Sequence, residues 1–339
     1  MALKYPPFAA CVAMEQAARN APSLRQGSRG PAVALLQGAL VQLKEKLPRS
    51  TKKLGVPDGA FGPETQRAVI SFQTKAKLKP DGVAGAKTIQ ALDDKLVKMA
   101  PPVAPSAPSA SVLPSTPHYA IGTGDPKLGH DAGAGVWNSK PWQMGYAALK
   151  GAILDALPTA MVVIGDDAAK HMFHYLGNSG KDYTIDLEGM VREVPSARAR
   201  YEDEVAQARE LVEMLPVGRH VIHSTKAENG YNRQSESRNW FFAIGGYTKW
   251  GQGVATVKGA PGALEYELEF EYKFYDRYNW DAGKSVTFAG ITVTDVFMGE
   301  FHRQGLAKEF DCYGSFKRSL AWKKGAPIPS QQLYPVAGR

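Results

Sequence analysis

The stretch ALEYELEFEYKFYD, residues 263–276, decides the fold class of this chain. Apolar and aromatic side chains occupy every second position, and mostly Glu fills the positions between them. The apolar set is Leu264, Tyr266, Leu268, Phe270, Tyr272 and Phe274. Because successive side chains of a strand point to opposite faces, the alternation predicts a long strand with one face buried. Such strands are typical of antiparallel sheets.

The strand ends in YDRYNWDAG, residues 275–283, where charged and amide side chains stand between aromatic rings. Asp, Asn and Gly collect in turns for conformational reasons alone, which is one interpretation. The other interpretation is the rim of an active site. The local pattern leaves both open.

The segments around this strand predict the rest of its domain. The stretch 165–180 predicts a helix that Gly177 ends, residues 197–215 predict a second helix, and residues 295–311 predict a third with Asp295 as its cap. Strand patterns are RHVIHST, NWFFAIGGYTKWGQGVATV and KSVTFAGITVT, at residues 219–225, 239–257 and 284–294. Helices followed by strands predict an α+β domain, and we expect its antiparallel sheet to be partly barrel-like.

A near-repeat marks the N-terminal part. DGAFGPET at residues 58–65 returns as DGVAGAKT at 81–88, and each reads as a tight glycine turn that leads into a helix. Apolar residues at helical spacing precede and follow the first turn. The pattern predicts a small three-helix bundle with two equivalent loops.

Three stretches, LRQGSRGPAVALLQ (24–37), DGAFGPETQRAVISFQ (58–73) and DGVAGAKTIQAL (81–92), resemble the peptidoglycan-binding domain of cell-wall hydrolases. The basic insert at residues 44–57 departs from that pattern. The resemblance implies binding to peptidoglycan, with Asp58, Phe61, Asp81 and Thr88 as the binding residues. The alternative is a helical bundle that serves only as a spacer.

The Pro-, Ala- and Ser-rich stretch at residues 101–117 predicts an extended connector. We predict an N-terminal extension (1–19), a peptidoglycan-binding domain (20–98), a flexible linker (99–118) and a toxin or catalytic domain (119–339). The formal charge of +8 is spread along the chain without a dense basic run or a zinc-finger spacing. We therefore expect cell-envelope polymers or phospholipid head groups as partners and no nucleic acid.

Common wall-cutting chemistries fit the sequence unequally. A thiol hydrolase needs a His downstream of its Cys, but Cys312 follows every histidine and Cys11 lies outside the expected catalytic domain. The His171/His174 and His220/His223 pairs lack a familiar third zinc ligand. A glycosidase needs two carboxylates across a cleft, and the sequence leaves that alternative open.

From about residue 168 the chain resembles colicin M and related lipid II-degrading bacteriocins, over a core of about 168–325. The likeness begins in HYLGNSGKDYTIDLEGM (174–190), is strongest in YDRYNWDAG and continues in MGEFHRQGLAKEF (298–310). The family signature is Asp-x-Tyr-Asp followed shortly by His-Arg. Asp276 and Tyr278 match it, whereas Asn279 replaces the second Asp and the His-Arg pair lies farther on, at His302 and Arg303.

The resemblance implies hydrolysis of a lipid pyrophosphate with Mg²⁺. Cleavage needs a carboxylate for the attacking group, an acid for the leaving oxygen and positive charge on the phosphates. The matching candidates are Asp276, His302 and Arg303 in that order, with Tyr278, Asn279 and Asp281 beside them. Asp276 and Asp281 would hold the Mg²⁺. His302 shares a helical row with Met298 and Leu306, so a packing role is the alternative.

We therefore expect an antibacterial toxin that binds peptidoglycan and hydrolyses lipid II, with a cognate immunity protein as a further partner. The N-terminal residues do not form a standard signal peptide. We expect synthesis in the cytoplasm and delivery to the periplasm of target bacteria, as a secreted effector of a contractile apparatus or by lysis. The alternatives are another peptidoglycan hydrolase, of glycosidase or amidase type, and a membrane-disrupting toxin that uses residues 152–165.

Overall fold

The structure is a computed structural model. It describes residues 3–9, 11–50, 57–99, 118–124, 126–130, 132–229, 234–280, 285–288 and 291–335. The predicted linker, residues 99–118, falls almost wholly outside these ranges. The chain forms two compact units that do not follow the linear order of the sequence. The helical unit comprises Met1–Ser109, Ala132–Ser179 and Asn279–Glu309, and the sheet unit comprises Ala110–Asp131, Gly180–Tyr278 and Phe310–Arg339.

Eight helices and one short hairpin are described in the helical unit. The helices are α1 (Pro6–Ala9), α2 (Val12–Ala17), α3 (Pro31–Gln42), α4 (Pro63–Lys75), α5 (Ala86–Met99), α6 (Met144–Ile164), α7 (Asp166–Leu176) and α11 (Asp295–Arg303). The hairpin pairs β7 (Ser285–Phe288) with β8 (Ile291–Thr294). The stretch 20–98 contributes three of these helices, α3, α4 and α5.

The N-terminal segment is held inside the helical unit by a buried carboxylate. Asp93 on α5 accepts hydrogen bonds from the backbone N–H groups of Lys4 and Tyr5, at 2.8–3.1 Å. The Tyr5 ring is buried and meets Tyr146 of α6 edge to face, with 6.3 Å between ring centroids. Residues 3–9 therefore join the helices of the first hundred residues to α6.

Helix α6 also packs directly on α3. A Cβ added at Gly38 would lie 3.0 Å from the Ala148 Cβ and 3.2 Å from the Met144 carbonyl oxygen. Such a close approach of two helices requires a residue without a side chain at this position. The first hundred residues and α6 thus share one packed core within the helical unit.

Seven strands of the sheet unit form one open, mixed sheet. The strands are β1 (Tyr119–Ile121), β2 (Tyr183–Thr184), β3 (Gly218–Ser224), β4 (Ala227–Asn229), β5 (Tyr247–Ala260), β6 (Ala263–Tyr278) and β9 (Phe310–Lys323). Their order is β1-β3-β5-β6-β9-β2, with β4 paired to β5. All neighbours are antiparallel except β2 and β9, which are parallel.

Strand β6 confirms the alternation read from the sequence. Along most of its length Tyr266 and every second residue after it are buried, and the glutamates between them face solvent or lie near the surface. The expected mixture of helices and sheet is confirmed. The partly barrel-like closure is not observed, because the described strands end at two separate edges, β1 and β2.

Helices α8 (Leu187–Glu193), α9 (Pro195–Met214), α10 (Arg238–Ala243) and α12 (Ser330–Leu333) complete the sheet unit. Tyr201 of α9 is fully buried, and its ring contacts those of Tyr272 and Phe316 edge to face. One turn further along α9, Glu204 forms a buried ion pair with Lys249 of β5 at 2.8 Å. Tyr119 donates a second hydrogen bond to Glu204 at 2.7 Å.

Three local predictions were wrong. NWFFA was predicted as the start of a strand but lies in helix α10. The Ser237 side chain accepts a hydrogen bond from the Trp240 N–H and caps this helix, and β5 starts only at Tyr247. Of the stretch 284–294, residues 285–288 and 291–294 form the two strands of a hairpin rather than one strand. The cap of α11 is Thr294, whose hydroxyl accepts from the Phe297 N–H at 3.2 Å.

Candidate functional site

Asp276 lies near the end of β6 on the buried face of the strand, two residues after Phe274. Its Oδ2 accepts a hydrogen bond of 3.2 Å from the Gly245 N–H. Its partner across the ladder is Cys312 of β9. Burial, and then the negative charge of Asp276, raise the pKa of the Cys312 thiol well above its usual value. Asp276 combines this burial with a place in the YDRYNWDAG motif, which makes it a candidate functional group.

The other signature residues next to Asp276 in the sequence are divided between the two units. Tyr278 is buried on the same face as Asp276 and stacks on Phe310, with 5.0 Å between centroids. Asn279 is the first residue of the last segment of the helical unit, where its Cβ lies 3.0 Å from a Cβ built at Gly133. Asp281, predicted as catalytic and as a Mg²⁺ ligand, lies outside the described residues.

The opposite face of the same strand end carries a polar cluster that sequence reasoning missed. Asp311 of β9 accepts from the Arg277 guanidinium at 2.9 Å and from the Tyr275 hydroxyl at 3.1 Å. Burial, followed by the charge of Asp311, raises the pKa of Tyr275. The alternation of β6 separates this cluster from Asp276, because residues 275 and 277 point away from residue 276. In the sequence, Arg277 lies between the signature residues Asp276 and Tyr278, and this position was the one indication of the cluster.

His302 is buried on α11, and both of its ring nitrogens are engaged. Its Nδ1 accepts a hydrogen bond from the Glu309 N–H at 3.1 Å, so the proton resides on Nε2. Nε2 lies 3.0 Å from the Gly135 carbonyl oxygen and donates to it. Of the two roles that the sequence left open, these contacts favour packing and positioning. The role as an acid stays a prediction.

Arg303 forms an ion pair with a buried carboxylate, Glu300, on its own helix. Its Nε and Nη2 each lie 2.8 Å from Glu300 Oε2, and its Nη1 donates to the Ala134 carbonyl oxygen at 2.9 Å. Lys140 reaches the same Glu300 oxygen at 3.0 Å. Burial alone would raise the pKa of Glu300, but the hydrogen bonds from Arg303 and Lys140 outweigh it and lower the pKa. The predicted phosphate contact of Arg303 would have to compete with this pair.

These side chains hold one stretch of backbone, AGAGVWNSKPWQ, which we call the tryptophan loop (residues 132–143). Glu309 Oε1 accepts from the Ala134 N–H at 2.8 Å and from the Trp280 N–H at 3.1 Å. The N–H groups of residues 138 and 140 donate to the carbonyl oxygens of His302 and Arg303, at 3.1 and 2.8 Å. Helix α11 thus fixes the loop through side chains and through its last carbonyl groups. The sequence offered one signal, two tryptophans within a glycine-containing stretch.

The two repeated turns of the N-terminal part share one pattern of hydrogen bonds. The buried amide of Gln37 donates to Asp58 Oδ1, the Ala60 carbonyl and the Thr65 hydroxyl, at 2.8–3.0 Å. Its oxygen accepts from the Gly59 N–H at 3.0 Å.

Gln73 repeats these contacts with Asp81, the Val83 carbonyl, Thr88 and the Gly82 N–H, at 2.9–3.0 Å. Gly59 and Gly82 have φ of 68° and 71°, which confirms the predicted left-handed turns. The two glutamines were missed, because their partners lie 8 to 28 residues away in the chain.

Comparison with known proteins identifies this part of the chain. Residues 29–92 match the family described as "Putative peptidoglycan binding domain". The chain carries a peptidoglycan-binding domain. A "Probable N-acetylmuramoyl-L-alanine amidase" of Bacillus licheniformis is 44% identical over 69 residues, 20% of this chain and 18% of that protein. An "Uncharacterized protein in bpoA1 3'region" of Kitasatospora aureofaciens is 42% identical over 73 residues, 21% of this chain and 56% of that protein.

Two solved bacteriocin structures are similar to this chain at low identity. PaeM, a colicin M-like bacteriocin produced by Pseudomonas aeruginosa, is 14% identical with a TM-score of 0.28, over 48% of this chain and 54% of that chain. Truncated syringacin M from Pseudomonas syringae pv. tomato DC3000 is 13% identical with a TM-score of 0.25, over 53% and 75%. With TM-scores this low the similarity carries no further argument.

Within the peptidoglycan-binding domain, the predicted binding residues build the turns. Phe61 and Thr88 are buried. Asp58 and Asp81 are exposed, but each accepts from the buried glutamine of its own turn. These contacts favour a role in shaping the domain surface, and direct contact of the four residues with peptidoglycan stays a prediction.

The described residues contain no group of three or more His, Cys, Asp or Glu side chains that could hold a metal ion. Of the predicted Mg²⁺ ligands, Asp276 is the one described. Mg²⁺ in proteins is often bound through one or two carboxylates together with substrate phosphates. Asp276 would supply one such carboxylate, and the Mg²⁺ itself stays a prediction.

Residues 152–164 of the apolar stretch lie in helix α6, which packs on α3, and Gly165 is the C-cap residue of that helix. Among the described helices, none combines the length and the apolar character that crossing a bilayer demands.

Proposed function

We propose that this chain is an antibacterial toxin that binds peptidoglycan and hydrolyses lipid II at its undecaprenyl-pyrophosphate linkage. The observation that carries the proposal is the Asp276 carboxylate, which is held on the buried face of β6 by the Gly245 N–H. The peptidoglycan-binding domain supports a site of action at the cell wall. The resemblance of YDRYNWDAG to the bacteriocin signature supports the substrate.

In the proposed reaction Asp276 acts as a general base and takes a proton from a water molecule. The oxygen of that water attacks the phosphorus next to the prenyl oxygen. The bond between that phosphorus and the prenyl oxygen breaks, and the prenyl oxygen takes a proton to give the free prenol. Mg²⁺, when bound beside Asp276, would neutralise charge on the diphosphate. The acid and the phosphate-binding cation are predicted to be His302 and Arg303.

Asp276 suits the role of base because its neighbours restrict access of bulk water. Cys312 lies across the ladder and the stacked rings of Tyr278 and Phe310 follow along the strand. Charge interactions in such surroundings are stronger than in water. The Gly245 N–H holds one carboxylate oxygen in place.

The test incubates the purified full-length chain with labelled lipid II and Mg²⁺ and separates the products by chromatography. We expect free prenol from the native chain and a loss of about a hundredfold or more in the Asp276→Asn variant. Asp311→Asn is the matched control, since it removes a carboxylate from the opposite face of the same strand end. Muropeptides released from sacculi without prenol would instead identify a peptidoglycan hydrolase, and dye leakage from vesicles without turnover would identify a membrane-disrupting toxin.

A further inference from the structure

The tryptophan loop exposes apolar side chains that its own unit does not cover. Val136 is 75% exposed, Trp137 is 40% exposed and Trp142 is 49% exposed. Large apolar side chains grouped on one short, exposed segment are a feature of interaction sites. The loop therefore has surface available for a partner.

The polar end of Trp137 points into the protein, which leaves part of the ring outside. Its Nε1–H lies 3.2 Å from the Asn178 side-chain oxygen and 3.2 Å from the Ala307 carbonyl oxygen. The Lys308 ammonium stands 4.9 Å from the ring centroid. An aromatic ring beside a cation is thus presented at the surface in one fixed orientation.

The loop and the segment after α11 carry basic side chains, two of which pair with the buried Glu300. Residues 132–143 and 303–308 include Lys140, Arg303 and Lys308 and no Asp or Glu. The carboxylates that hold the loop, Glu300 and Glu309, are both buried. Because Lys140 and Arg303 pair with Glu300, the cation that an anionic surface would meet beside the Trp137 ring is Lys308.

The loop is also organised before any partner binds. Its backbone is bonded to the side chains of His302, Arg303 and Glu309 and to the carbonyl groups at the end of α11. A surface that is already ordered loses little conformational entropy on binding. A loop of this kind can insert its rings without folding first.

We propose that the tryptophan loop docks this chain on the surface of a bilayer with anionic phospholipid head groups. Tryptophan rings concentrate at the interface between acyl chains and head groups, and Lys and Arg are attracted to anionic lipid. The proposal rests on the proposed function in one respect, that lipid II is a membrane lipid. Docking itself requires no hydrolysis.

The test measures co-sedimentation of the full-length chain with vesicles of phosphatidylcholine alone and of phosphatidylcholine mixed with phosphatidylglycerol. We expect binding to the mixed vesicles and a loss of about tenfold or more for the Trp137→Ser/Trp142→Ser double variant. Lys308→Gln should weaken binding about fivefold on the mixed vesicles alone. Met214→Ser, which changes an exposed apolar residue of the sheet unit, should bind as the native chain does.

Two results would overturn the proposal: no binding of the native chain to mixed vesicles, or equal binding of the double tryptophan variant. A native dimer in analytical ultracentrifugation that the double variant loses, without vesicle binding, would assign the loop to a second copy of the chain. The Asp276→Asn variant should keep its vesicle binding. Failure of docking is therefore separable from failure of lipid II hydrolysis.

Discussion

Replacing Lys249 by Met would leave the Glu204 carboxylate in the interior of the sheet unit without its cation. The two side chains are 1% and 0% exposed, and their charged atoms are 2.8 Å apart. Removing one partner of a buried pair costs about 3–5 kcal/mol, because the remaining charge stays desolvated. Tyr119 still donates a hydrogen bond of 2.7 Å to Glu204, so we expect the lower end, about 3 kcal/mol.

The assay is thermal unfolding of the full chain, with hydrogen exchange to localise the effect. A loss of about 3 kcal/mol corresponds to a fall in Tm of roughly 6–12 °C for a unit of this size. Peptides from β5 and β6 should exchange faster than in the native chain. Lys258→Met is the matched control, since Lys258 and Glu267 are also 2.8 Å apart but are 55% and 56% exposed. That change should cost less than about 1 kcal/mol.

The double variant Lys249→Met/Glu204→Leu separates charge burial from packing. Because it removes both charges, it should recover most of the stability that Lys249→Met loses. Equal stability of Lys249→Met and Lys258→Met would refute the reasoning. So would a double variant that is less stable than Lys249→Met alone.

Three further predictions concern activity, pH and wall binding. Adding a chelator should reproduce the loss of lipid II turnover seen in Asp276→Asn while leaving sedimentation with sacculi unchanged; full turnover in chelator would remove Mg²⁺ from the proposal. Burial lowers the pKa of His171 from 6.5 to about 4, so the unfolded chain binds a proton between these values that the folded chain does not. Stability should therefore fall by about 3 kcal/mol as pH drops from 6.5 to about 4, and His171→Gln should flatten that part of a urea-denaturation pH profile; an unchanged slope would contradict the assignment. Gln73→Leu should disrupt the second turn of the peptidoglycan-binding domain, because the Asp81 and Gly82 contacts are lost, and should weaken sedimentation of the full chain with sacculi more than Gln90→Leu on the exposed face of α5.

Local patterns predicted the elements whose side chains repeat at a regular interval. Strand β6 alternates along most of its length, and the left-handed glycines at 59 and 82 stand at equivalent places in a visible repeat. NWFFA failed because its aromatic residues favour strands, while the Ser237 cap and the bond from Trp240 Nε1 to Glu193 stabilise a helix. Helix α11 ends early, at Arg303, and Gly305 follows with a φ of 66°.

The surroundings of the candidate residues could be predicted only in part. The even spacing of Phe274 and Asp276 places both on the buried face of β6, which follows from the strand alone. The partner of His302 Nε2 lies 167 residues away at Gly135, and a single sequence carries no trace of that contact. The contacts between the tryptophan loop and its buried carboxylates are also long-range, so the sequence alone did not predict them.

The close approach of Gly38 to Ala148 has a mechanical consequence for the proposed binding of peptidoglycan. Helix α6 packs directly against helix α3 of the peptidoglycan-binding domain. Its attachment to that domain therefore does not depend on residues 100–117 alone. When a glycan strand is gripped by the domain, the direction of α6 relative to that strand is set as well. The helical unit of each bound molecule would then take one orientation relative to the glycan strand, without free rotation of α6 about the point of attachment.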